Sequence, residues 1–182
     1  MGKWLIASDI HGSAHYCRVL LNHFTLEEAD RLLLLGDLLY HGPRNPLPMG
    51  YDTFETTRLL NGVRNKLLCV RGNCDSEVDQ MVLQFPMMAD YTVLPAGRRT
   101  LFATHGHLYG EETPPPLRAG DILLNGHTHM PACVEHPEFL YLNPGSISMP
   151  KEDSPHSCMI WEEGHFLWKN LENWETYLEY SM

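Results

Sequence analysis

Five short polar clusters each follow a short apolar run of the sequence. They are Asp9-Ile10-His11, Gly36-Asp37, Gly72-Asn73-Cys74-Asp75, Thr104-His105-Gly106-His107 and Gly126-His127-Thr128-His129. In an open α/β sheet, functional groups collect at the carboxyl ends of the strands. We therefore expect five separate segments to bring carboxylates, an amide and several imidazoles to one place.

These clusters hold more metal donors than a single ion needs. Two carboxylates, one amide and four imidazoles are available: Asp9, Asp37, Asn73, His11, His105, His127 and His129. Mixed nitrogen and oxygen ligands without thiolate suit Mn, Fe, Zn or Co. Two ions about 3.5–4 Å apart form a clamp for in-line displacement at phosphorus. The donor count thus predicts two ions that share one bridging carboxylate.

The first half of the chain must supply strands and helices that position these clusters. Apolar runs at 3–8, 31–35 and 66–70 predict strands, and two helical patterns lie between them. Ser13 is the expected N-cap of the first helix, and Asp52 that of a second, which Gly62 ends. This βαβαβ order predicts a parallel sheet with covering helices. A capping-box pattern at 25–28 predicts a further short helical turn.

The second half is rich in strand signals. We predict strands at 91–94, 99–104, 121–125, 133–135 and 139–142, and a hairpin of 158–161 with 165–168 around Glu162-Glu163-Gly164. The tail from Leu171 fits either a helix or a strand, since its apolar residues satisfy both periods. With no linker-like segment, the sequence predicts a single domain over residues 1–182.

The composition limits the classes of partner that this chain can bind. The chain of 182 residues has 13 basic and 23 acidic residues and a net charge of −10. This balance argues against broad binding to nucleic acid or anionic membranes, which relies on Lys and Arg. Bound cations can reverse the sign locally and admit a phosphate substrate. Five cysteines without a CxxC pair, and no apolar run of about 18 residues, predict a cytoplasmic protein without a membrane span.

The ordered set D-x-H, GD, GN, H and GHxH resembles the calcineurin-like metallophosphoesterase superfamily. Three further stretches look like the small bacterial YfcE-type phosphodiesterases: His41-Gly42-Pro43-Arg44-Asn45, residues 72–80 and Asn143-Pro144-Gly145-Ser146. The resemblance extends over the whole chain. It implies the metallo-dependent phosphatase fold, a four-layer α/β-β/α sandwich in which two packed mixed β-sheets are flanked by helices.

The resemblance also implies a ligand assignment. One ion would be held by Asp9, His11, Asp37 and His129, and the other by Asp37, Asn73, His105 and His127, so that Asp37 bridges them. Mn²⁺ is the first expectation, with Fe, Zn, Co or Ni as alternatives. Related small phosphoesterases are often dimers or tetramers, so a homo-oligomer is expected.

The expected activity is hydrolysis of a small phosphodiester through attack of a metal-bridging hydroxide. Asp37, Asn73, Cys74 and His107 are the candidate catalytic residues, and Arg44, Asn73 and Cys74 the candidate substrate-binding residues. Arg44 is expected either to bind a phosphate oxygen bidentately or to form a structural salt bridge. His107 is expected to support the site by a hydrogen bond, to contact substrate or to be a turn residue.

Cys74 stands where many members of the superfamily place a histidine that acts as general acid, and the YfcE-type proteins share this cysteine. Two nearby cations would push its thiol toward thiolate, which cannot donate a proton. We therefore expect a preference for activated diesters. Alternatively, Cys74 is a small packing residue that leaves room for the second arm of a diester.

Two other functions are left open by the sequence. A relative of this fold serves as a scaffold subunit in a vesicle-coat complex, so a non-catalytic metal-binding scaffold is one alternative. The intact set of seven donors argues against it. A phosphomonoesterase is the other alternative, and Cys74 in place of histidine argues against that.

Overall fold

The computed structural model describes residues 2–182, and its elements follow the predicted order closely. The strands are β1 (Trp4–Ala7), β2 (Arg31–Leu34), β3 (Leu67–Cys69), β4 (Tyr91–Ala96), β5 (Arg99–Thr104), β6 (Asp121–Leu124), β7 (Pro131–Glu135), β8 (Phe139–Pro144), β9 (Ser157–Glu162), β10 (His165–Asn170) and β11 (Thr176–Ser181). The helices are α1 (Ala14–Leu26), α2 (Thr53–Gly62) and α3 (Glu77–Val82), with a 3-10 turn at Arg64–Lys66.

The strands form two mixed sheets. The first has the order β11-β10-β9-β1-β2-β3, in which β1, β2 and β3 are parallel and β9 to β11 are antiparallel. The second has the order β4-β5-β6-β8-β7, with β5, β6 and β8 parallel and an antiparallel strand at each edge. Two mixed sheets with flanking helices confirm the predicted fold class.

The core lies on both faces of the first sheet, because successive strand residues point to opposite faces. Ile6 and Leu33 face the second sheet and pack there against Ile122 and Leu124 of β6. Leu5, by contrast, faces α1. Each fully buried side chain of this kind contributes about 1.5–3 kcal/mol. The two sheets are thereby fixed against each other, which fixes the strand ends that carry the polar clusters.

The outer face of the second sheet is covered by an irregular segment. Leu123 and Tyr141 point outward and pack with Leu117 of the loop that joins β5 to β6. Within residues 2–182, no helix follows Val82. The layer outside the second sheet is therefore a loop. The helices of the chain cover the outer face of the first sheet.

The predicted caps are confirmed, and one predicted turn is wrong. Ser13 Oγ accepts a hydrogen bond from Tyr16 N (3.2 Å), and Asp52 Oδ1 accepts one from Glu55 N (2.9 Å). Thr25 caps no new turn, because α1 runs on to Leu26 and the Thr25 hydroxyl donates to the Leu21 carbonyl one turn back (3.0 Å).

The tail is a strand. Residues 176–181 pair antiparallel with β10, and Trp174 stacks on His23 of α1 with ring centroids 3.6 Å apart.

Helix α3 was not among the predicted elements. Its signal is a capping box, in which Asp79 Oδ2 accepts from both the backbone N–H and the hydroxyl of Ser76.

Candidate active site

The structure brings the seven predicted donors to one end of the sandwich. Asp9 and His11 follow β1, Asp37 follows β2, and Asn73 follows β3. His105 follows β5, and His127 and His129 follow β6. Because these five strands are parallel within their sheets, their carboxyl ends lie at the same edge. The two sheets thus contribute donors from facing positions.

Five of these donors have backbone in the left-handed region. The φ angles are 59° at Asp9, 47° at His11, 56° at Asp37, 66° at His127 and 65° at His129. Such a conformation costs a non-glycine residue roughly 1–3 kcal/mol and persists only where its surroundings determine it. Here His11 N donates to Asp37 O (2.9 Å), so the two strained turns hold each other.

Gly72 and Gly126 allow the chain to approach the site closely. A Cβ on Gly72 would overlap the backbone and carboxylate of Asp37, and one on Gly126 would overlap the Ser8 side chain. Both residues must therefore be glycine, because the turn after β3 packs on the turn after β2, and the turn after β6 packs on the turn after β1.

One group of ligand atoms is built from Asp9, His11 and His129, all buried. Asp9 Oδ1 lies 3.5 Å from His11 Nε2 and 3.3 Å from His129 Nε2. Nδ1 of each ring donates to a backbone carbonyl at 2.7 Å, that of Tyr40 for His11 and that of Met149 for His129. In the neutral form of each ring, Nε2 keeps a lone pair that points toward the other donors.

This arrangement fits a cation. Asp9 Oδ1 is buried and accepts no hydrogen bond from residues 2–182, which is costly for a carboxylate oxygen. Burial acts to raise the pKa of Asp9, but the adjacent rings of His11 and His129 outweigh it and hold that pKa well below the usual value. The carboxylate is therefore ionised and aimed at two imidazole nitrogens.

Asp37 lies between this group and a second one. Its Oδ2 is 3.6 Å from His11 Nε2 and 3.5 Å from His105 Nε2, while its Oδ1 accepts from Cys74 N (2.8 Å). Burial acts to raise the pKa of Asp37, and the bond and charge of His105 lower it overall. A carboxylate in this position can serve both groups.

In the second group, His105 Nε2 faces Asn73 Oδ1 at 3.1 Å, and His105 Nδ1 donates to Leu35 O (2.7 Å). Burial acts to lower the pKa of His105, but the bond to Asp37 and the charges of Asp9 and Asp37 raise it to about 9. In the metal-free chain a proton thus occupies Nε2, the position at which a cation would bind.

His127 completes the second group. Its backbone N–H donates to Asp9 Oδ2 (3.1 Å), and its ring centroid lies 5.0 Å from that of His105. Burial and the positive charge of His105 lower the pKa of His127, so its ring is neutral and able to bind a metal.

His107 lies beside the second group, with its ring centroid 5.4 Å from that of His105 and 6.4 Å from that of His127. Its Nδ1 is buried without a hydrogen-bond partner in the described part of the chain. Burial and the neighbouring His105 lower the pKa of His107. It is a neutral imidazole at the edge of the site, and its role stays a prediction.

A small pocket of about 100 Å³ opens onto these donors. It is lined by His11, Asp37, Gly42, Pro43, Arg44, Asn45, Asn73, Cys74, His127, His129 and Lys151. Arg44 is exposed at its rim and forms no ion pair with any of residues 2–182, so the predicted salt bridge is not found. Lys151 was not among the predicted site residues.

Cys74 is a neutral thiol in the metal-free chain. It is half-buried, its Sγ lies within reach of His11 and Asp37, and it accepts a hydrogen bond from Asn73 Nδ2 (3.3 Å). Burial and the charges of the surrounding carboxylates raise the pKa of Cys74 to about 12. Bound cations would act in the opposite direction, so the expected shift toward thiolate in the metal-loaded site stays a prediction.

Asp75 ties the two central loops together and was missed by the sequence prediction. It is buried and accepts hydrogen bonds from the backbone N–H groups of Asp37 (2.8 Å), Leu38 (2.8 Å) and Gly72 (2.7 Å). Burial raises its pKa to about 6 although these donors favour the ionised form. The signal for it was its place two residues after Asn73.

The Asn143-Pro144-Gly145-Ser146 motif supports the site through hydrogen bonds to the backbone of its loops. Ser146 Oγ and Ser148 Oγ both donate to the Asp9 carbonyl, at 3.0 Å and 2.9 Å. Asn143 Nδ2 donates to Gly126 O (2.8 Å) in the loop that carries His127 and His129. The motif therefore positions two of the donor-bearing turns.

The chain belongs to the calcineurin-like phosphoesterase superfamily, whose domain model matches residues 3–164. It is 47% identical over 157 residues to phosphodiesterase YfcE of Escherichia coli K12, covering 86% of this chain and 85% of that protein. It is 32% identical over 168 residues to the probable metallophosphoesterase YsnB of Bacillus subtilis, covering 86% and 81%.

The solved structure of E. coli YfcE, described as a phosphoesterase, matches with a TM-score of 0.95 and 41% identity over 98% of both chains. A zinc complex of Vps29 from Entamoeba histolytica, at 20% identity and a TM-score of 0.61, shares the fold. The family, the fold and the hydrolase class predicted from the sequence are confirmed, and the family implies divalent metal ions. No helix within residues 2–182 has the length and apolarity needed to cross a membrane.

Proposed function

We propose that this chain hydrolyses phosphodiesters with two divalent metal ions. The proposal rests on a set of imidazole nitrogens and carboxylate oxygens that face one another. In three of the rings, those of His11, His105 and His129, the other nitrogen donates to a backbone carbonyl. Such anchoring fixes the ring orientation and the tautomer that a metal requires. The related YfcE carries the name of a phosphodiesterase over most of both chains.

The ligand assignment that we propose follows the two groups of donors. One ion would be held by Asp9, His11, Asp37 and His129, and the other by Asp37, Asn73, His105 and His127. The position of Asp37 Oδ2, about equally far from His11 Nε2 and His105 Nε2, supports a bridging role. When bound, two such ions would supply a water of lowered pKa as the nucleophile and positive charge for the phosphoryl oxygens.

The residues of the chain then bind and orient the substrate. Arg44 has no competing carboxylate partner within residues 2–182 and can give two parallel hydrogen bonds to a phosphate. Asn73 lies at the pocket wall beside Cys74. His107 is placed to hydrogen-bond at the edge of the second ion's site.

A preference for diesters follows from Cys74. A thiol with a pKa of about 12 is a poor proton donor to a leaving group at neutral pH, and a thiolate created by cations cannot donate at all. In a diester of an acidic alcohol, the leaving group can depart without protonation. The second ester group of the diester needs the room that a small side chain leaves.

Several finer points belong to the same proposal. Mn²⁺ is the expected metal, although Fe, Zn, Co and Ni accept these ligands. The two sheets share a core, which supports a single domain over 1–182. Five free cysteines support a reducing, cytoplasmic location. A dimer or tetramer stays a prediction.

The test compares a diester and a monoester that share one leaving group. Metal-loaded protein is assayed on bis(4-nitrophenyl) phosphate and on 4-nitrophenyl phosphate, before and after treatment with EDTA. We expect kcat/KM for the diester to be higher by about tenfold or more, a difference of about 1.4 kcal/mol, and to be lost with the chelator. A higher value for the monoester contradicts the proposal. No hydrolysis of either ester by metal-loaded protein favours the scaffold alternative.

A further inference from the structure

We infer that Lys151 is a substrate-binding residue, a cation that contacts a phosphate oxygen in the same pocket as Arg44. This inference rests on the proposed phosphoesterase function and adds a residue to it. Lys151 lines the pocket together with His11, His129 and Cys74. It lies outside all five polar clusters of the sequence.

The ammonium group of Lys151 differs from other cations of the chain in its pairing. Within residues 2–182 its ammonium forms no ion pair, whereas Lys3 pairs with Glu27 at 3.2 Å and Arg71 with Asp90 at 2.6 Å. Its side chain is exposed at the pocket. In a chain of net charge −10, an ammonium on the pocket wall that forms no ion pair within residues 2–182 is available for an anionic ligand.

The backbone of Lys151 is tied to a proposed metal ligand. Lys151 N donates to the carbonyl of His129 (3.3 Å), and the carbonyl of Met149 accepts from His129 Nδ1 (2.7 Å). Met149 N in turn donates to Ser146 Oγ (2.9 Å), which donates to the Asp9 carbonyl. The Cα of Lys151 is therefore held at a fixed place on the pocket rim.

A turn on the other side keeps the neighbouring acids away. The Lys151 carbonyl accepts from both the backbone N–H (3.0 Å) and the hydroxyl (2.6 Å) of Ser154. Between them Glu152 and Asp153 have left-handed backbone, each with a φ of 56°. Both acids are exposed, and neither pairs with Lys151. The loop thus presents one cation to the pocket.

Lys151 and Arg44 differ in what they offer to a phosphate. A guanidinium gives a planar pair of donors, and an ammonium on a flexible four-carbon stem gives a point charge that can follow the ligand. Lys151 therefore stabilises bound phosphate in the ground state and the transition state alike. Its loss should raise KM more than it lowers kcat.

The experiment uses the full metal-loaded chain and three variants. Lys151→Gln removes the charge, and Lys151→Arg keeps it. Lys66→Gln removes the charge of an exposed lysine in the 3-10 turn that precedes β3, at the opposite end of that strand from Asn73 and the pocket. KM and kcat are measured with bis(4-nitrophenyl) phosphate, and the Kd of inorganic phosphate is measured by calorimetry. Bound metal and Tm are recorded for each variant.

We expect Lys151→Gln to raise both KM and the phosphate Kd by about tenfold, with normal metal content and a smaller change in kcat. Lys151→Arg should retain most of the affinity for phosphate, and Lys66→Gln should have the KM and the phosphate Kd of the wild type. An unchanged phosphate Kd in Lys151→Gln overturns the inference. Loss of bound metal in both Lys151 variants also overturns it, because the role would then be structural. If the wild type hydrolyses no diester, the proposed function fails while the phosphate Kd still decides the role of Lys151.

Discussion

His11 Nε2 and His129 Nε2 lie 3.3 Å apart in a buried site, although the chain segments that carry them are 118 residues apart in sequence. Both rings use Nδ1 to donate to a backbone carbonyl, so two ring nitrogens with lone pairs face each other. Such an arrangement is unfavourable unless a proton or a cation lies between them. With Asp9 Oδ1 beside both nitrogens, the site is prepared for a cation.

The first prediction concerns Asp37→Ala. Because the Asp37 carboxylate faces one imidazole from each group of donors, its removal should weaken both metal positions. We expect bound metal to fall to one ion or fewer per chain and phosphodiester hydrolysis to fall by several orders of magnitude. Elemental analysis and a steady-state assay measure this. Two retained ions with the wild-type rate would show that Asp37 does not bridge.

The second prediction concerns pH. The pKa of His105 is raised to about 9 from an ordinary value of 6.5, so protonated His105 stabilises the metal-free fold fully below about pH 6.5. That contribution is lost as pH rises through about 9. Since a metal needs the neutral ring, metal affinity should rise over the same range, and binding at pH 7.5 should release protons.

Calorimetric titration of Mn²⁺ in two buffers of different ionisation enthalpy measures that release. His165→Asn is the matched control, because His165 is exposed and bonds to Ser181 away from the site. It should release as many protons as the wild type. An affinity that is constant between pH 6.5 and 9 would refute the role assigned to His105.

The third prediction concerns Asp75→Asn. Both carboxylate oxygens of Asp75 accept backbone N–H groups, so an amide in their place would point one NH₂ group at an N–H donor. We expect a loss of about 2 kcal/mol in the free energy of unfolding and weaker metal binding, because Asp37 loses its support. Denaturant unfolding and metal titration measure the two effects.

Asp121→Asn is a closely matched control. Asp121 is as buried as Asp75, and each of its carboxylate oxygens also accepts a backbone N–H group, that of Thr100 (2.8 Å) and that of Arg118 (2.9 Å). It lies at the opposite end of β6 from the site. It should cost similar stability and leave metal affinity unchanged. If both variants weaken metal binding equally, Asp75 has no special role in positioning Asp37.

The fourth prediction concerns the leaving group. In the wild type, log kcat/KM for aryl phosphodiesters should fall steeply as the leaving-group pKa rises, because Cys74 supplies no proton efficiently. Cys74→His should flatten this dependence and raise activity on monoesters or poor leaving groups. A flat plot for the wild type would indicate that His107 or another group already donates the proton.

The donor positions were accessible to sequence reasoning because each lies at the end of an apolar run. Such ends are expected at the carboxyl edges of parallel strands. The packing of the two sheets then brings the edge that carries Asp9 and Asp37 to the edge that carries His105 and His127. The carbonyls of Tyr40, Leu35 and Met149 were not accessible, since any residue type has a carbonyl. Which of them meets an imidazole is decided by the tertiary fold.

Tertiary contacts explain the elements and the residue that the sequence alone did not predict. The tail satisfied both helical and strand periods, and pairing with the edge strand β10 decided between them. Thr25 had the pattern of a cap, but α1 continued through it because Phe24 is buried in the core. Lys151 belongs to no polar cluster and reaches the pocket only because its loop is tied to His129.

The two-ion account is tested most directly by titrating metal-free protein with Mn²⁺ while the hydrolysis of bis(4-nitrophenyl) phosphate is followed. The rate should stay low through the first equivalent, rise with the second and level off at two ions per chain. EDTA should abolish it. A rate that levels off at one ion per chain, or that persists in EDTA, would contradict the account.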